Sequence, residues 1–264
     1  MKKFWLILKA HFQIRLEYRV DMVFYSISSI LNPIIGLALW LTASNYTNLP
    51  FSKLELIAYF IAAIYIGIAA EMWQSWYIAE DINNGHFSTL LIKPIPLIGR
   101  YLAELFSDKL FKIIVITFSL PIIFVLIPKN VWQVFSITPV SLSLFALTLA
   151  LGFMILFFIE ISIGLATVWF HDVDFLKGLF DLANQIFSGR FIPLIFFPAN
   201  LASVAFFLPF KYSVSFPIEI LLNKLKVEQL LNGLIAEFIW LLLSILIYKA
   251  ILFKFKDSYQ GYGL

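Results

Sequence analysis

The sequence predicts an all-α, polytopic integral membrane protein with six transmembrane helices, an N-terminal interfacial helix and a broken fifth span. Hydrophobic residues make up 61% of the 264 residues and charged residues 13%, with a mean hydropathy of +0.92. Soluble domains are about 45–50% apolar and about 25% charged, so this excess is too large for a water-soluble core. The apolar residues also fall into stretches near the length of about 20 residues that spans a bilayer.

The N-terminal segment 1–21 is predicted to be an interfacial helix. Basic residues are spread through it without a long uncharged core, which argues against a signal peptide. Trp5, Leu8, Phe12 and Leu16 form an imperfect apolar stripe at helical spacing, as in helices that lie on a membrane surface. A charged leader before the first span is the alternative.

The predicted spans belong to one transmembrane domain that covers residues 1–264. They are 22–43, 56–77, 110–127, 140–169, a broken fifth span that begins near 175, and 230–252. With the N-terminus placed in the cytoplasm, 13 of the 19 Lys and Arg residues fall on the inside, Lys109 and Lys112 among them, and 6 fall on the outside, Arg190 among them. This bias follows the positive-inside rule, and it predicts that both termini are cytoplasmic.

The connection 78–106 between spans two and three is predicted to be a structured cytoplasmic loop. Its acids and asparagines are followed by Gly85, which permits a turn, and then by a short amphiphilic stretch. Pro94 and Pro96 end that stretch, because proline cannot continue a helix. The pattern indicates a short helix rather than a spacer.

The fifth span is interrupted by Pro193 and Pro198. Non-helical backbone at membrane depth persists only where protein or a water-filled cavity satisfies it. The segment 190–229 is therefore predicted to be re-entrant and extracytoplasmic, with 199–208 continuing the re-entrant piece. Residues 209–228 are expected to cap the outer face with short helices.

Several ionisable residues fall within or beside the predicted spans, where they are costly and often functional. One interpretation is a polar lining for a translocation path, or gating ion pairs. The other is that these residues pair with one another or extend to the interface. A proton-coupled transporter would use such carboxylates as well. The residues are Glu71, Glu160, Asp181, Arg190 and Glu237.

Other functions are disfavoured by what the sequence lacks. There is no G-x-x-x-x-G-K-[ST] phosphate-binding loop and no H-E-x-x-H metal motif. The absence of cysteine excludes disulfides, thiol catalysis and cysteine-ligated metals. His171, Asp172 and Asp174 are most simply a solvated loop, so no metal site is predicted. The net charge of +3 is too small to indicate nucleic-acid binding.

The assembled pattern resembles the type-2 ABC export permeases, in particular the short six-span subunits without extracellular domains. The basic leader and the short tail after span six contribute to the resemblance. The motifs that carry it are Asp81-Ile82-x-x-Gly85-x-x-x-x-Leu90-Leu91-x-Lys93-Pro94, Ser188-Gly189-x-x-Ile192-Pro193-Leu194, Phe197-Pro198 and Leu208-Pro209-Phe210 with Pro217.

The resemblance implies a plasma (inner) membrane subunit of a bacterial exporter that is not itself an enzyme. Two permeases, identical or related, would pair around a path formed by spans one, two and five. Each would bind a cytoplasmic P-loop ATPase, which would carry ATP and Mg, and no cofactor is expected in this chain. The loop after span two would hold the coupling element, formed by Asp81, Gly85, Leu90, Leu91, Lys93 and Pro94.

The expected cargo is a small amphiphilic, lipid-like, peptide or drug molecule, and carbohydrate stays open as an alternative. The main alternative function is an ion-gradient-driven secondary transporter, although such transporters normally have more spans and inverted repeats. An intramembrane enzyme would need catalytic residues that converge on one cavity, and no such set is recognisable. A structural or assembly factor is the last alternative.

Overall fold

The computed structural model describes residues 2–93, 96–118, 127–170 and 173–258, and within these ranges the chain is helical without a strand. Short 3₁₀ helices cover Lys129–Val134, Leu194–Phe196 and Pro209–Ser213. The α-helices are α1 (Lys2–Glu17), α2 (Arg19–Ala43), α3 (Lys53–Ala70), α4 (Gln74–Asn83), α5 (His86–Ile92), α6 (Leu97–Thr117), α7 (Pro139–Leu165), α8 (Thr167–Phe170), α9 (Asp174–Phe187), α10 (Ala199–Phe207), α11 (Ser215–Leu221) and α12 (Val227–Ser258).

The all-α membrane fold is confirmed, and in the described ranges four helical stretches have the length and apolarity of membrane spans. These are Arg19–Ala43, Lys53–Asn83, Pro139–Phe170 and Val227–Phe255. The predicted third span begins in α6, and its residues 119–126 lie outside the described part of the chain. The predicted fifth span contains α9, which has only 14 residues before the chain breaks. The count of six spans therefore stays a prediction.

The directions of the helices agree with a chain that crosses back and forth. Ser29 of α2 contacts Glu71, and Gly36 packs on Phe60, so α2 and α3 are antiparallel. By contrast, α7 and α12 run parallel. Their N-terminal parts share an apolar cluster that includes Leu144. Nearer their C-terminal ends, the ring centroids of Phe158 and Tyr248 lie 5.5 Å apart.

The second span is broken, which the sequence analysis did not predict. A capping box between Ser52 and Glu55 begins α3. The helix ends at Ala70 and the chain restarts as α4 at Gln74, so residues 71–73 are not helical. The predicted span 56–77 lies within the candidate span Lys53–Asn83, but it consists of two helices rather than one.

The predicted break after α9 is present. Gly189 has a φ of +86°, a left-handed conformation that glycine adopts without the steric cost of a side chain. Residues 197 and 198 are extended and lead into α10. The chain then turns through Pro209–Ser213 and returns as α11, so these elements form a helical hairpin.

The hairpin lies deeper in the protein than a cap on the outer face. The carbonyl oxygen of Tyr212, at its tip, packs directly on Gly152, near the middle of α7. The backbone N–H of Ser136 donates to Leu221 O (2.7 Å), which fixes the other end of α11. Every residue from Ser215 to Ile220 is buried. The short helices expected in 209–228 therefore exist, but they pack inside rather than cover the surface.

The first helix packs along α6, and its inward face differs from the predicted stripe. Phe4, Leu8 and Phe12 face inward, and the ring centroids of Phe12 and Phe111 lie 6.3 Å apart. Trp5 and Leu16 are 63% and 47% exposed. The predicted stripe is therefore divided between the contact with α6 and the free surface of α1, and its contact with a membrane surface stays a prediction.

Candidate functional site

A lysine from α6 donates hydrogen bonds to the backbone at the break in span two, where α3 ends. The buried Lys109 Nζ donates to the carbonyl oxygens of Ile68 (2.7 Å) and Glu71 (2.5 Å). The last carbonyls of a helix lack internal partners, and the negative end of the helix dipole favours a cation. Lys109 therefore caps α3 and satisfies backbone that would otherwise be unpaired at membrane depth.

A second lysine, from α9, also donates a hydrogen bond to the backbone of the break. Lys177 Nζ of α9 donates to Met72 O (3.1 Å), Glu160 Oε1 (2.6 Å) and Asp181 Oδ1 (2.5 Å). The other oxygen of the fully buried Glu160 accepts a hydrogen bond from the backbone N–H of Ser75 (3.2 Å), in the first turn of α4. A carboxylate at this place is stabilised by the positive end of the helix dipole.

The carboxylate of Glu71 is the centre of a third set of contacts. It accepts hydrogen bonds from Arg190 Nη2 (2.7 Å), Lys112 Nζ (3.0 Å) and Ser29 Oγ (2.8 Å). Arg190 also donates to Ser29 O (2.6 Å), and Lys112 lies 3.3 Å from Asp108. Four parts of the chain therefore meet at one charge cluster: α2, the end of α3, α6 and the non-helical segment after α9 that contains Arg190.

These contacts correct the placement of several basic residues. The sequence analysis counted Arg190 among the outside residues, and Lys109 and Lys112 among the inside loop residues. In the structure Lys109 and Lys112 are only 6% and 2% exposed, and Arg190 reaches along span two to Glu71. All three serve the packing of helices rather than a membrane surface.

A cavity of about 270 Å³ lies between the two charge clusters. Its wall is unusually polar for the interior of a membrane protein, and the side chain of Asp181 is 46% exposed. The charged and amide residues in the wall are Asn32, Glu71, Glu160, Asp181, Asn184, Gln185 and Arg190.

Four of the five predicted intramembrane site residues, Glu71, Glu160, Asp181 and Arg190, line this one cavity. Their pairing is visible, while a role in transport stays a prediction. Glu237 lies apart, buried in α12. Neither of its carboxylate oxygens has a hydrogen-bond partner among the described residues.

The predicted coupling residues lie in a helical elbow formed by α4, Gly85 and α5. Gly85 has a φ of +73° and forms the turn. Asp81 Oδ2 accepts a hydrogen bond from the Tyr101 hydroxyl (2.9 Å), and Leu90 is 6% exposed, so both hold the elbow against the protein. Leu91, by contrast, is 52% exposed.

Beside Leu91, Ile92 is 82% exposed and Lys93 is also exposed, so the free surface of the elbow begins at residue 91. Pro94, the last predicted coupling residue, lies outside the described residues, as do His171 and Asp172 of the considered metal motif. In the described part of the chain no group of three or more metal-ligating side chains occurs.

The contact between α1 and α6 carries its own titratable pair. His11 Nδ1 lies 3.7 Å from Glu104 Oε1, and Arg15 lies 4.0 Å from the same oxygen. Burial and the positive charges of Arg100 and Arg15 lower the pKa of His11. Burial raises the pKa of Glu104 to about 7, against the opposing influence of Arg15 and Arg100.

The role of the lysines that close the break was not predicted from the sequence. One available signal was the polar interruption after Ala70, where Glu71 and Gln74 enter an otherwise apolar run. Another was the i,i+4 spacing of Lys177 and Asp181, which places both on one helix face. Neither signal identifies the partner helix, because Lys109 is 38 residues from Glu71 in the chain.

The described residues form a bundle with four helical stretches long enough to span a membrane, a helical hairpin and a helical elbow, which is the architecture of a multi-pass membrane protein. A family model described as ABC-2 family transporter protein matches residues 51–263, and the chain belongs to this family of ABC transporter permeases. Members of this family are transport components rather than catalytic subunits, and membership implies an ABC transporter with an ATPase partner. No curated protein matches the chain significantly.

Proposed function

We propose that this chain is the membrane-spanning subunit of an ATP-binding-cassette exporter that moves a small amphiphilic, lipid-like, peptide or drug molecule out of the cytoplasm. A separate P-loop ATPase binds ATP and Mg and docks on the elbow formed by α4 and α5. Two permease subunits pair, as a homodimer or a heterodimer. The location is the plasma (inner) membrane of a bacterium, with both termini in the cytoplasm.

The observation that carries this proposal is the elbow itself. It follows directly from a membrane span, and it presents the exposed apolar side chains of Leu91 and Ile92 next to the exposed Lys93. Exposed apolar side chains rimmed by polar groups are typical of protein interaction sites. Buried Phe87 packs on Phe255 of α12 with ring centroids 5.0 Å apart, which holds the elbow rigid.

The break in span two suggests how motion of the elbow reaches the membrane interior. Because residues 71–73 are not helical, α4 can tilt without bending α3. Glu160 contacts the first turn of α4 and Lys177 contacts Met72, so a tilt acts directly on α7 and α9. ATP-driven movement of the elbow would in this way change the cavity lined by Glu71, Asp181 and Arg190.

The amphiphilic cargo is supported by the two kinds of surface that meet at the cavity. Its wall is polar, with paired charges and amides. The neighbouring faces of α2 and α9 expose large apolar side chains, among them Leu31, Ile35, Leu182 and Ile186. A molecule with a polar group and an apolar body would satisfy both.

An affinity pull-down of the tagged chain in mild detergent, followed by mass spectrometry, tests the partner assignment. We expect a stoichiometric P-loop ATPase to co-purify. A second permease sequence beside it indicates a heterodimer, and its absence a homodimer. A clean preparation without an ATPase, at matched expression, contradicts the exporter proposal and favours an ion-gradient-driven carrier.

Substitution of both exposed elbow residues tests the docking surface. We expect Leu91→Asp with Ile92→Asp to abolish co-purification of the ATPase while the yield of folded permease stays unchanged, because both side chains are solvent-exposed. Ile137→Asp is the matched control, since Ile137 is 68% exposed but lies at the other end of the bundle. Retention of the ATPase by the double variant would show that docking uses another surface.

A further inference from the structure

Two further cavities lie between the hairpin and α12. The first has a volume of about 360 Å³ and a polar end formed by Lys211, Glu219, Lys224 and Gln229. The second, of about 340 Å³, is lined almost entirely by apolar side chains of α10 and α12, including Phe207, Ile239 and Trp240. Phe206 and Asn232 belong to both walls, so the two cavities adjoin.

The order of these side chains along α12 follows membrane depth. Gln229 and Asn232 lie in the first two turns of the helix, at the polar end. Ala236, Ile239 and Trp240 follow, and Trp240 lies about 12 Å deeper than Asn232 at the helical rise of 1.5 Å per residue. A polar pocket thus continues into an apolar groove that runs toward the bilayer centre, which matches the shape of a lipid molecule.

The charges at the polar end are balanced. Lys211 Nζ lies 3.5 Å from Glu219, and Lys224 Nζ lies 2.5 Å from Glu55. An ammonium group has three N–H donors, and the described residues give each lysine a single carboxylate within ion-pair distance. Lysine N–H groups that can donate to a phosphate therefore lie beside carboxylate oxygens that can bind a cation. Because each lysine is paired with a carboxylate, these residues carry no excess of positive charge.

We propose that these adjoining cavities bind a glycerophospholipid with a zwitterionic phosphoethanolamine head group. The phosphate lies between Lys211 and Lys224, and the primary ammonium group of the lipid contacts Glu219. One acyl chain follows the groove between α10 and α12. The lipid comes from the leaflet on the side of the α2–α3 connection, because Lys224 pairs with Glu55 at the start of α3.

This lipid would stabilise the hairpin. The groove wall is held by one polar contact, in which Trp240 Nε1 donates to Phe207 O (3.0 Å). Phe207 is 74% exposed, so an acyl chain in the groove would cover apolar surface of the hairpin itself. The site is separate from the cavity at the break in span two and does not depend on the proposed cargo.

Native mass spectrometry of the purified full chain, reconstituted in nanodiscs of phosphatidylcholine with equal small amounts of phosphatidylethanolamine and phosphatidylglycerol, tests the proposal. We expect one phosphatidylethanolamine molecule to be retained in preference to the other two lipids. Preferential retention of phosphatidylglycerol, or no preference, would overturn it. Inorganic phosphate alone should not raise the unfolding temperature, and a rise equal to that given by the lipid would also contradict the proposal.

Variants locate the site. Lys211→Gln should lower retention of phosphatidylethanolamine about tenfold, the usual effect of removing one charge-assisted hydrogen bond. Lys226→Gln is the control, because Lys226 is exposed on the connection between α11 and α12 but lies outside the cavity walls. Equal loss in both variants would mean that binding reflects surface charge only.

A second variant keeps the test independent of the ion pairs. Ala236→Phe fills the groove and should abolish retention, whereas Ala250→Phe, at an exposed position of the same helix, should not. Circular dichroism and elution as a single peak establish that each variant is folded. Undiminished retention by Ala236→Phe would show that the groove does not hold the acyl chain.

Discussion

Lys177 is the residue on which the inner side of the break depends most. It is 2% exposed and contacts Glu160, Asp181 and the carbonyl oxygen of Met72. Burial of an ion pair gives little net stability, but removal of one partner leaves the other charge buried without compensation. Lys177 and Glu160 should therefore behave as a unit rather than as two independent contributions.

Lys177→Met is expected to lower the free energy of unfolding by about 3–5 kcal/mol, because Glu160 then remains buried without a cation. The double variant Lys177→Met with Glu160→Gln should recover part of that loss, since the amide oxygen can still accept from Ser75 N–H. Thermal unfolding in detergent measures both. Lys129→Met, at an exposed position, should change stability by less than about 0.5 kcal/mol. An unchanged unfolding temperature in Lys177→Met would contradict the assigned role.

At the scale of elements, α1 is held by a contact that depends on pH. The pKa of Glu104 is raised from its ordinary value of 4.5 to about 7, so the docked state binds this proton more tightly than the unfolded state does. Packing of α1 on α6 is then favoured at low pH and weakens as the pH rises from about 4.5 to about 7. The lowered pKa of His11 acts in the opposite direction, because protonation of His11 opposes packing below pH 6.5.

Glu104→Gln should remove the loss of stability between pH 5.5 and pH 8. The amide is neutral throughout, so at pH 8 the variant is expected to be more stable than the wild type by up to about 3 kcal/mol. Unfolding temperatures at the two pH values measure the effect. Glu17→Gln, at an exposed position of α1, is the control and should follow the wild type. A Gln variant that loses as much stability as the wild type at pH 8 would contradict the prediction.

The elements could be predicted where their signals are local. Long apolar runs identified the four helical stretches that are long and apolar enough to span a membrane. Gly85 marked the turn of the elbow, and Pro193 with Pro198 marked the break after α9. The break in span two depends instead on partners from distant helices, since Lys109 and Lys177 supply the donors that make it tolerable. A count of Lys and Arg treats such residues as loop residues, which explains why Arg190 and Lys112 were misplaced.

The candidate site shows the same division. The spacing of residues in the sequence could identify Glu71, Glu160, Asp181 and Arg190 as costly charges, because each interrupts or adjoins an apolar stretch. It could not tell which of them meet, and Glu237 proved to lie apart from the other four. Burial also distinguishes two residues that were predicted to act together in the elbow, since Leu90 packs inside and Leu91 is exposed.

At the scale of the whole molecule, one face of α2 is not covered by any of the residues that the structure describes. Phe24, Ile27, Leu31 and Ile35 are all 48% or more exposed, and they follow one another at helical spacing. Lipid could cover them, and so could a second permease, which the proposed exporter requires. The face of α2 adjoins the cavity at Asn32, so a partner seated there would enclose the cavity between two subunits.

Cysteine cross-linking can distinguish a second permease from lipid as the cover of this α2 face. The chain has no native cysteine that would interfere. Ile35→Cys is expected to form a disulfide-linked dimer in oxidised membranes if two copies meet along α2. Leu242→Cys, on an α12 surface that is 62% exposed, should remain monomeric because it faces lipid. A dimer through Leu242 and none through Ile35 would place the interface on α12. If the pull-down yields a single permease sequence and neither variant cross-links, pairing along α2 is wrong, and the cavity at Asn32 then opens to lipid rather than to a path shared by two subunits.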